Sequence, residues 1–217
     1  MSVSLVISVI TFVMMLMAGV RMLHFVWAGL AGGAAGAILL LKGKVDQMKG
    51  VGGTSESFRL DRIKVFFDPW SDATGTGYQM IQSLYAIGSG GLFGVGLGNS
   101  KQKYLYIPEP QNDFIFAIVA EELGFVGCVA IIALFAVFVW RGIVISMKAP
   151  DMFGSLIAIG ITTLVAIQTI INIAVVTASI PTTGMALPFF SYGGTALVIL
   201  LASVGILLNI SRAGAKV

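Results

Sequence analysis

Residues 114–140 read FIFAIVAEELGFVGCVAIIALFAVFVW, an apolar run broken only by the adjacent carboxylates Glu121 and Glu122. A bilayer's hydrocarbon is roughly 30 Å thick, and a helix crosses it with about 20 apolar residues. A membrane β-barrel would instead need roughly ten-residue segments of alternating polarity, and the uninterrupted ALFAVFVW (133–140) contradicts that. Working outward, four more runs read as helices of spanning length: Val3–Val20, Met22–Leu41, Leu156–Ile180 and Gly194–Ile210. The composition agrees, with 57% hydrophobic and 11% charged residues and a mean hydropathy of +0.97, far from an ordinary soluble domain. The expected fold is all-α, a polytopic membrane helix bundle with five transmembrane helices. It forms one membrane domain over residues 1–217, within which residues 42–112 make a long structured loop.

Lys and Arg near span ends set orientation when the loops are short. Arg21, Arg141, Lys148, Arg212 and Lys216 fall on one side, which predicts a cytoplasmic C-terminus and places 42–112 outside the cell. The net charge of +3 then reflects topology and calls for no nucleic-acid partner. The chain starts inside an apolar run without a basic n-region or cleavage site, unlike a signal peptide. Five spans also demand an N-terminus-out start, so Met1 is expected to be an internal methionine of a longer protein. The single Cys128 cannot form an intrachain disulfide, and no Cys/His metal spacing occurs. The lone His24 reads as a packed or interfacial residue.

The long loop has its own pattern. LDRIKVFFDPW (60–70) mixes basic with apolar and aromatic residues, as in a segment lying at headgroup level, although a helix packed on its own protein has the same composition. Met80, Ile81, Leu84 and Tyr85 recur at helical spacing and predict a packing face. AIGSGGLFGVGLGN (86–99) lacks the G-K-[ST] of a phosphate loop. Glycine at that density permits left-handed backbone and close approach of chain to chain or chain to ligand. Lys101 and Lys103 follow, either a solvated face or charges for a pyrophosphate, and then Pro108-Glu109-Pro110 stiffens the approach to the helix.

Asp113 stands at the helix boundary, where it suits an N-cap or a general base at the mouth of the bundle. Glu121 and Glu122 lie two turns further in, facing a cavity or bonding within the bundle. Gln168 and Asn172 share one helix face at i, i+4 and should point into the bundle as interhelical hydrogen-bonding groups. PTTGMALPFFSYGG (181–194), with Thr182, Thr183, Ser191 and Tyr192, is a broken polar turn of the kind tolerated only against protein or a water-filled cavity.

The run YQMIQSLYAIGSGGLFGVGLGNSKQKYLYIPEPQNDFIFAIVAEELGFVG (78–127), with FFDPWSDATGTGYQ (66–79), IPTTGMALPFFSYGGTA (180–196) and ILLNISR (206–212), closely resembles the SEDS family of FtsW, RodA and SpoVE, most of all the FtsW/SpoVE branch for division or sporulation. The resemblance implies the last five helices of a ten-helix fold in a bacterial plasma membrane. It implies a peptidoglycan glycosyltransferase that polymerises lipid II into glycan strands beside a class B penicillin-binding protein, with polyprenyl-pyrophosphate-linked glycan as the second substrate. By the same resemblance Asp113, preceding FIFA, is the catalytic residue. Lys101, Lys103, Glu109, Ser191 and Tyr192 are candidate substrate contacts; Glu121, Glu122, Gln168 and Asn172 are structural or cavity polar residues. No cofactor follows for certain. Magnesium or manganese could share the pyrophosphate charge, with no metal site identified. Two departures stand out: Asn112 occupies a position where many members have threonine, and the cavity charges of the family's N-terminal half are absent from this sequence. A lipid II transporter and a non-catalytic scaffold for the penicillin-binding protein are the other classes compatible with such a bundle.

Overall fold

The computed structural model describes residues 2–21, 65–72, 75–103 and 111–214. The span Met22–Leu41, His24, the stretch 60–64, Tyr104, Tyr106 and Pro108-Glu109-Pro110 lie outside the described residues. Within them every regular element is a helix: α1 (Ser2–Met17), a 3₁₀ turn (Pro69–Asp72), α2 (Thr76–Gly90), α3 (Ile115–Met147), α4 (Met152–Val176) and α5 (Gly194–Gly214).

Among the described residues, α3, α4 and α5 are long and apolar enough to cross a membrane. Helix α1 is shorter than the expected Val3–Val20. Its 16 residues reach only about 24 Å at 1.5 Å each. The Ala18 N–H still bonds the Met14 carbonyl at 2.9 Å, but Gly19 then takes φ +73 and ends the helix. Helix α3 runs the other way, seven residues past the expected Trp140, so Arg141 sits inside it as an exposed helical residue.

Helix α4 is the centre of the bundle, packing on α1, α2, α3 and α5. In its most apolar stretch 44% of residues are buried, against 17% for α3 and 6% for α5. Ala158, Val165 and Val176 are fully enclosed, and Val165 and Val176 belong to a core that includes Phe114, Phe116, Phe135, Met185 and Leu187. Small residues let the helices approach: a Cβ on Gly142 of α3 would run into the Thr162 side chain of α4, the small-residue contact by which membrane helices gain packing without a hydrophobic driving force. Outward faces of α3 and α5 are apolar, as at Leu134, Trp140, Val198 and Leu208, each more than 60% exposed. In water such faces would be untenable, and in a bilayer they meet lipid or further protein.

The α3–α4 connection is short, capped by the Asp151 carboxylate accepting the Gly154 N–H at 2.8 Å and tied by Ser146 Oγ donating to the Ser155 carbonyl at 2.9 Å. Two long helices joined by so short a link run antiparallel. The start of α3, the end of α4, the irregular stretch 177–193 and the start of α5 therefore share one end of the bundle. Helix α2 joins them there through Ser83 Oγ, which is buried and donates to the Val176 carbonyl at 2.7 Å. Of the four residues expected to pack, Met80 and Ile81 do, while Leu84 and Tyr85 are exposed. The buried face of α2 joins Met80 and Ile81 to the small residues Gly77, Ser83, Ala86 and Gly90, and the small ones let α2 lie close on its neighbours. Tyr85 stacks edge-on to Trp70 at 6.2 Å, and Trp70 and Phe67 are 63% and 80% exposed.

Helix α3 is broken at Gly124, where φ 67 and ψ −167 fall in a region that is essentially glycine-only. The break removes two helical bonds, and the glycine-rich loop replaces both. The Phe125 and Val126 N–H groups donate to the carbonyls of Gly91 and Leu92 at 2.9 and 3.1 Å. The freed carbonyls of Glu121 and Glu122 accept from the Val95 and Gly96 N–H groups at 3.0 and 3.1 Å. The glycine run thus serves both left-handed backbone, at Gly91, Gly94, Gly96 and Gly98, and close approach of chain to chain, at Gly90 and Gly94. A Cβ on Gly90 would meet the Ala120 carbonyl, one on Gly94 the Glu122 carbonyl, and one on Gly124 the backbone of Leu92 and Gly94.

Gly124→Ala and Gly94→Ala should each lower stability by about 1–3 kcal/mol from backbone strain alone, with overpacking added. Gly88, by contrast, lies within α2 where a Cβ would meet nothing within 4 Å, so Gly88→Ala should be neutral or stabilising by up to about 1 kcal/mol. Thermal unfolding midpoints of the three variants in one detergent check this ordering.

Candidate functional site

At the shared end of the bundle the chain turns through Gln111–Asp113 into α3. The N-cap position is Phe114, with φ −114 and ψ 18, so Asp113 lies one residue outside and does not occupy the cap. Phe114 itself is buried, which pins the helix start and leaves Asp113 half-buried beside it. Three contacts fix its surroundings. Asn172 Nδ2, from the last turns of α4, donates to the Asp113 carbonyl at 2.8 Å and to the Met185 carbonyl at 2.6 Å. Gly184 lies against the carboxylate itself, since a Cβ there would sit 3.3 Å from Asp113 Oδ2. The Tyr192 N–H donates to the Gln111 carbonyl at 2.8 Å.

The stretch 177–193 therefore forms a wall beside Asp113. Its backbone is bent at Ala178 (φ 54), Gly184 (φ 65) and Phe189 (φ 67). A left-handed phenylalanine is costly, and aromatic packing holds it: Phe189 contacts Phe138 at 5.9 Å, and Phe190 contacts Phe135 at 6.1 Å. These rings and Leu134 line a cavity of about 190 Å³. Ser191 Oγ accepts the Leu187 N–H at 2.7 Å, which closes the turn internally, while the Tyr192 ring is 81% exposed. Thr183 Oγ1 and Asn172 Oδ1 are buried and find no partner among the described residues.

The second cluster organises the loop before the proline segment. Glu121, 2% exposed, accepts from the Ser100 hydroxyl at 2.5 Å, the Lys101 N–H at 3.0 Å and the Gln102 N–H at 3.3 Å. Glu122 accepts the Lys103 ammonium at 3.1 Å and the Ser100 N–H at 3.4 Å. The same ammonium donates to the Gly98 carbonyl at 2.5 Å. The two carboxylates thus hold residues 98–103 by hydrogen bonds to main chain and side chains. Lys103 points back into this cluster, and Lys101 is exposed. Gln168 is half-buried and Asn172 buried. No signal in the sequence links Ser100 to Glu121, and Thr183 stands out there only as one hydroxyl of a polar turn.

The structure thus brings Asp113, Asn172, Gly184 and Thr183 into one region, with the Glu121 cluster holding the loop that leads to it. Among the described residues no three His, Cys, Asp or Glu side chains could hold a metal ion together.

Residues 1–216 match the sequence model of the cell cycle protein family FtsW/RodA/SpoVE. The chain belongs to this family. It is 52% identical over 202 residues to stage V sporulation protein E of Bacillus subtilis, covering 92% of this chain and 51% of that protein. It is 44% identical over 216 residues to a probable peptidoglycan glycosyltransferase FtsW of Trichlorobacter lovleyi, covering 100% of this chain and 53% of that protein. Among solved structures it superposes on a chain of a peptidoglycan synthase complex in which polymerization and crosslinking are coordinated, with TM-score 0.67 and 27% identity, covering 97% of this chain and 55% of that one. The chain spans about half the length of the curated relatives it matches. The FtsW/RodA/SpoVE assignment and the long apolar helices together make it a membrane protein.

In this family member the Glu121 cluster has a direct solution readout, because trypsin cuts after the lysines it orders. Glu121→Ala strands the Ser100 hydroxyl and two backbone N–H groups, each worth about 1–3 kcal/mol when left buried and unpaired. Cleavage after Lys101 and Lys103 should accelerate at least about tenfold, since each 1.4 kcal/mol or so of lost loop stability is tenfold in the open population. Limited proteolysis followed by mass spectrometry measures it.

Proposed function

We propose that this chain is the catalytic half of a peptidoglycan glycosyltransferase that joins lipid II units into glycan strands, with Asp113 as the general base. The observation that carries the reading is the placement of Asp113, a carboxylate held outside the helix cap at the membrane bundle's mouth, its backbone and flank fixed by Asn172 and Gly184. The resemblance of the chain to proteins named as probable peptidoglycan glycosyltransferases supports the same chemistry. The domain is the single membrane bundle of residues 1–217. Its C-terminus is cytoplasmic, and residues 42–112 with the Asp113 end of the bundle lie on the outer face, where lipid-linked sugars are polymerised. A class B penicillin-binding protein is the partner that crosslinks the product.

In the reaction, the sugar hydroxyl of the acceptor gives its proton to the Asp113 carboxylate as its oxygen forms a bond to the anomeric carbon of the donor. The bond from that carbon to the pyrophosphate oxygen breaks, and the electron pair leaves on the polyprenyl pyrophosphate. An α-linked donor becomes a β-linked chain in this single displacement, which needs a base on the acceptor side and no covalent sugar intermediate. Such a base contributes about 10²–10⁴-fold. Lys101, exposed beside the loop, offers positive charge to the leaving pyrophosphate. Lys103 contributes by holding Glu122 and the Gly98 carbonyl, which keeps Lys101 in place. Glu109, Ser191 and Tyr192 are the further substrate contacts of this reading, Ser191 through the turn it closes and Tyr192 through its exposed ring.

Asp113→Asn keeps the size of the side chain and removes its capacity to take a proton. In a chain completed to the length of its relatives, detergent-solubilised and given lipid II, the expected result is a loss of polymer of at least about 100-fold with an unchanged unfolding midpoint. Lys101→Ala should slow polymerisation while leaving the protein folded. Near-normal polymer from Asp113→Asn excludes the base assignment. Absence of polymer from the unsubstituted protein in detergent, with Asp113-dependent movement of labelled lipid II across sealed vesicles, assigns the chain to transport instead.

A further inference from the structure

We infer that Asn172 is a positioning residue for the Asp113 base, a role that rests on the catalytic reading above and goes beyond interhelical hydrogen bonding. Asn172 is 1% exposed and lies near the C-terminal end of α4, 59 residues from Asp113 in sequence. Its single amide nitrogen spends both of its protons on the two strands of chain that enclose the carboxylate. One bond, at 2.8 Å, goes to the carbonyl of Asp113 itself. That carbonyl belongs to the peptide linking Asp113 to Phe114, so fixing it fixes the direction in which the Asp113 side chain leaves the backbone. The other, at 2.6 Å, goes to the carbonyl of Met185. Met185 follows Gly184, whose Cα faces Asp113 Oδ2 so closely that a Cβ would stand 3.3 Å from it. Floor and wall of the carboxylate are therefore set by one amide.

Interhelical adhesion alone needs only one partner anywhere along the neighbouring chain. Here both acceptors flank the same ionisable group, and neither lies in a regular helix. The geometry also fixes the amide's orientation, because two carbonyl oxygens can be met only by the nitrogen. The oxygen is left buried and without a partner among the described residues, a cost normally avoided in a protein interior. Gln168, one turn earlier on α4, is only half-buried and shares in none of these bonds. A base must sit within hydrogen-bond reach of the proton it removes, and a displacement of about 1 Å can cost about 10²-fold in rate. A residue that fixes the backbone under the base should therefore act on turnover with little effect on substrate binding.

The test uses the chain completed to the length of its relatives, purified in detergent, with lipid II as substrate and activity normalised to folded protein. Asn172→Asp removes both donors at constant size and sets a carboxylate against two carbonyls; Asn172→Ala removes the side chain. Each is expected to lower kcat by about 10–100-fold with KM for lipid II within about twofold of the unsubstituted value. Should Asn172→Ala yield no folded protein, Asn172→Ser, which keeps one donor at shorter reach, carries the same comparison. Normal kcat per folded molecule, or a raised KM at unchanged kcat, overturns the inference. Asp113→Asn is assayed alongside: if it is inactive while Asn172→Ala turns over normally, only the positioning role fails, and if it is active, the catalytic reading itself fails.

Discussion

The structure depends on an exchange of four backbone hydrogen bonds at Gly124. A membrane helix satisfies its own N–H and C=O groups, and a break in one leaves groups that lipid cannot accept. In α3 the two bonds lost between Glu121 and Phe125 and between Glu122 and Val126 are replaced by four with the loop, two accepted and two donated. Every group freed by the break is paired again. The exchange works only because residues 90, 94 and 124 lack side chains, and it ties helix α2, the loop and both parts of α3 into one unit. The adjacent carboxylates act in the same place: their carbonyls hold residues 95 and 96, and their side chains hold residues 100–103.

Polar side chains at this end of the bundle are spent on backbone. Asn172 serves two carbonyls, Ser83 one, and Glu121 two N–H groups and a hydroxyl. Irregular backbone at this end of the bundle carries donors and acceptors that no helix satisfies, and side chains from the regular helices supply the missing partners. Catalytic geometry in the proposed enzyme is thereby borrowed from rigid elements. Asp113 sits on a turn, but the groups that fix it come from α4 and from a turn packed on α3.

The all-helical bundle was legible because long apolar runs carry a strong signal of length and composition, and α3, α4 and α5 lie where three such runs predict them. Helix ends were less legible, since Gly19 stops α1 by a backbone torsion and Arg141 is carried within α3 at its apolar periphery. The glycine run announced close approach, yet its partner Gly124 looks like any glycine in an apolar helix and lies some thirty positions downstream. Asp113 was readable as a residue at a helix boundary, and its family pattern pointed to catalysis. That it stands outside the cap depends on the burial of Phe114, a tertiary fact. Asn172 was readable as a group turned into the bundle, but its acceptors belong to irregular chain whose path no periodicity encodes. Glu121 and Glu122 as side chains facing a cavity or the bundle could not be separated in sequence, because their donors are mostly main-chain N–H groups of a distant loop.

Beyond Gly124, α3 presents apolar side chains outward along its length, from Phe125 to Met147. Such a segment seeks a depth at which its apolar length matches the hydrocarbon, and shifts or tilts when the bilayer is thinner or thicker. The loop is bonded to the first residues of that segment, with no slack between the Phe125 and Val126 N–H groups and their acceptors. Its depth is consequently tied to that of the helix. Through the bonds at Gly124, any shift or tilt of α3 carries residues 91–96 with it.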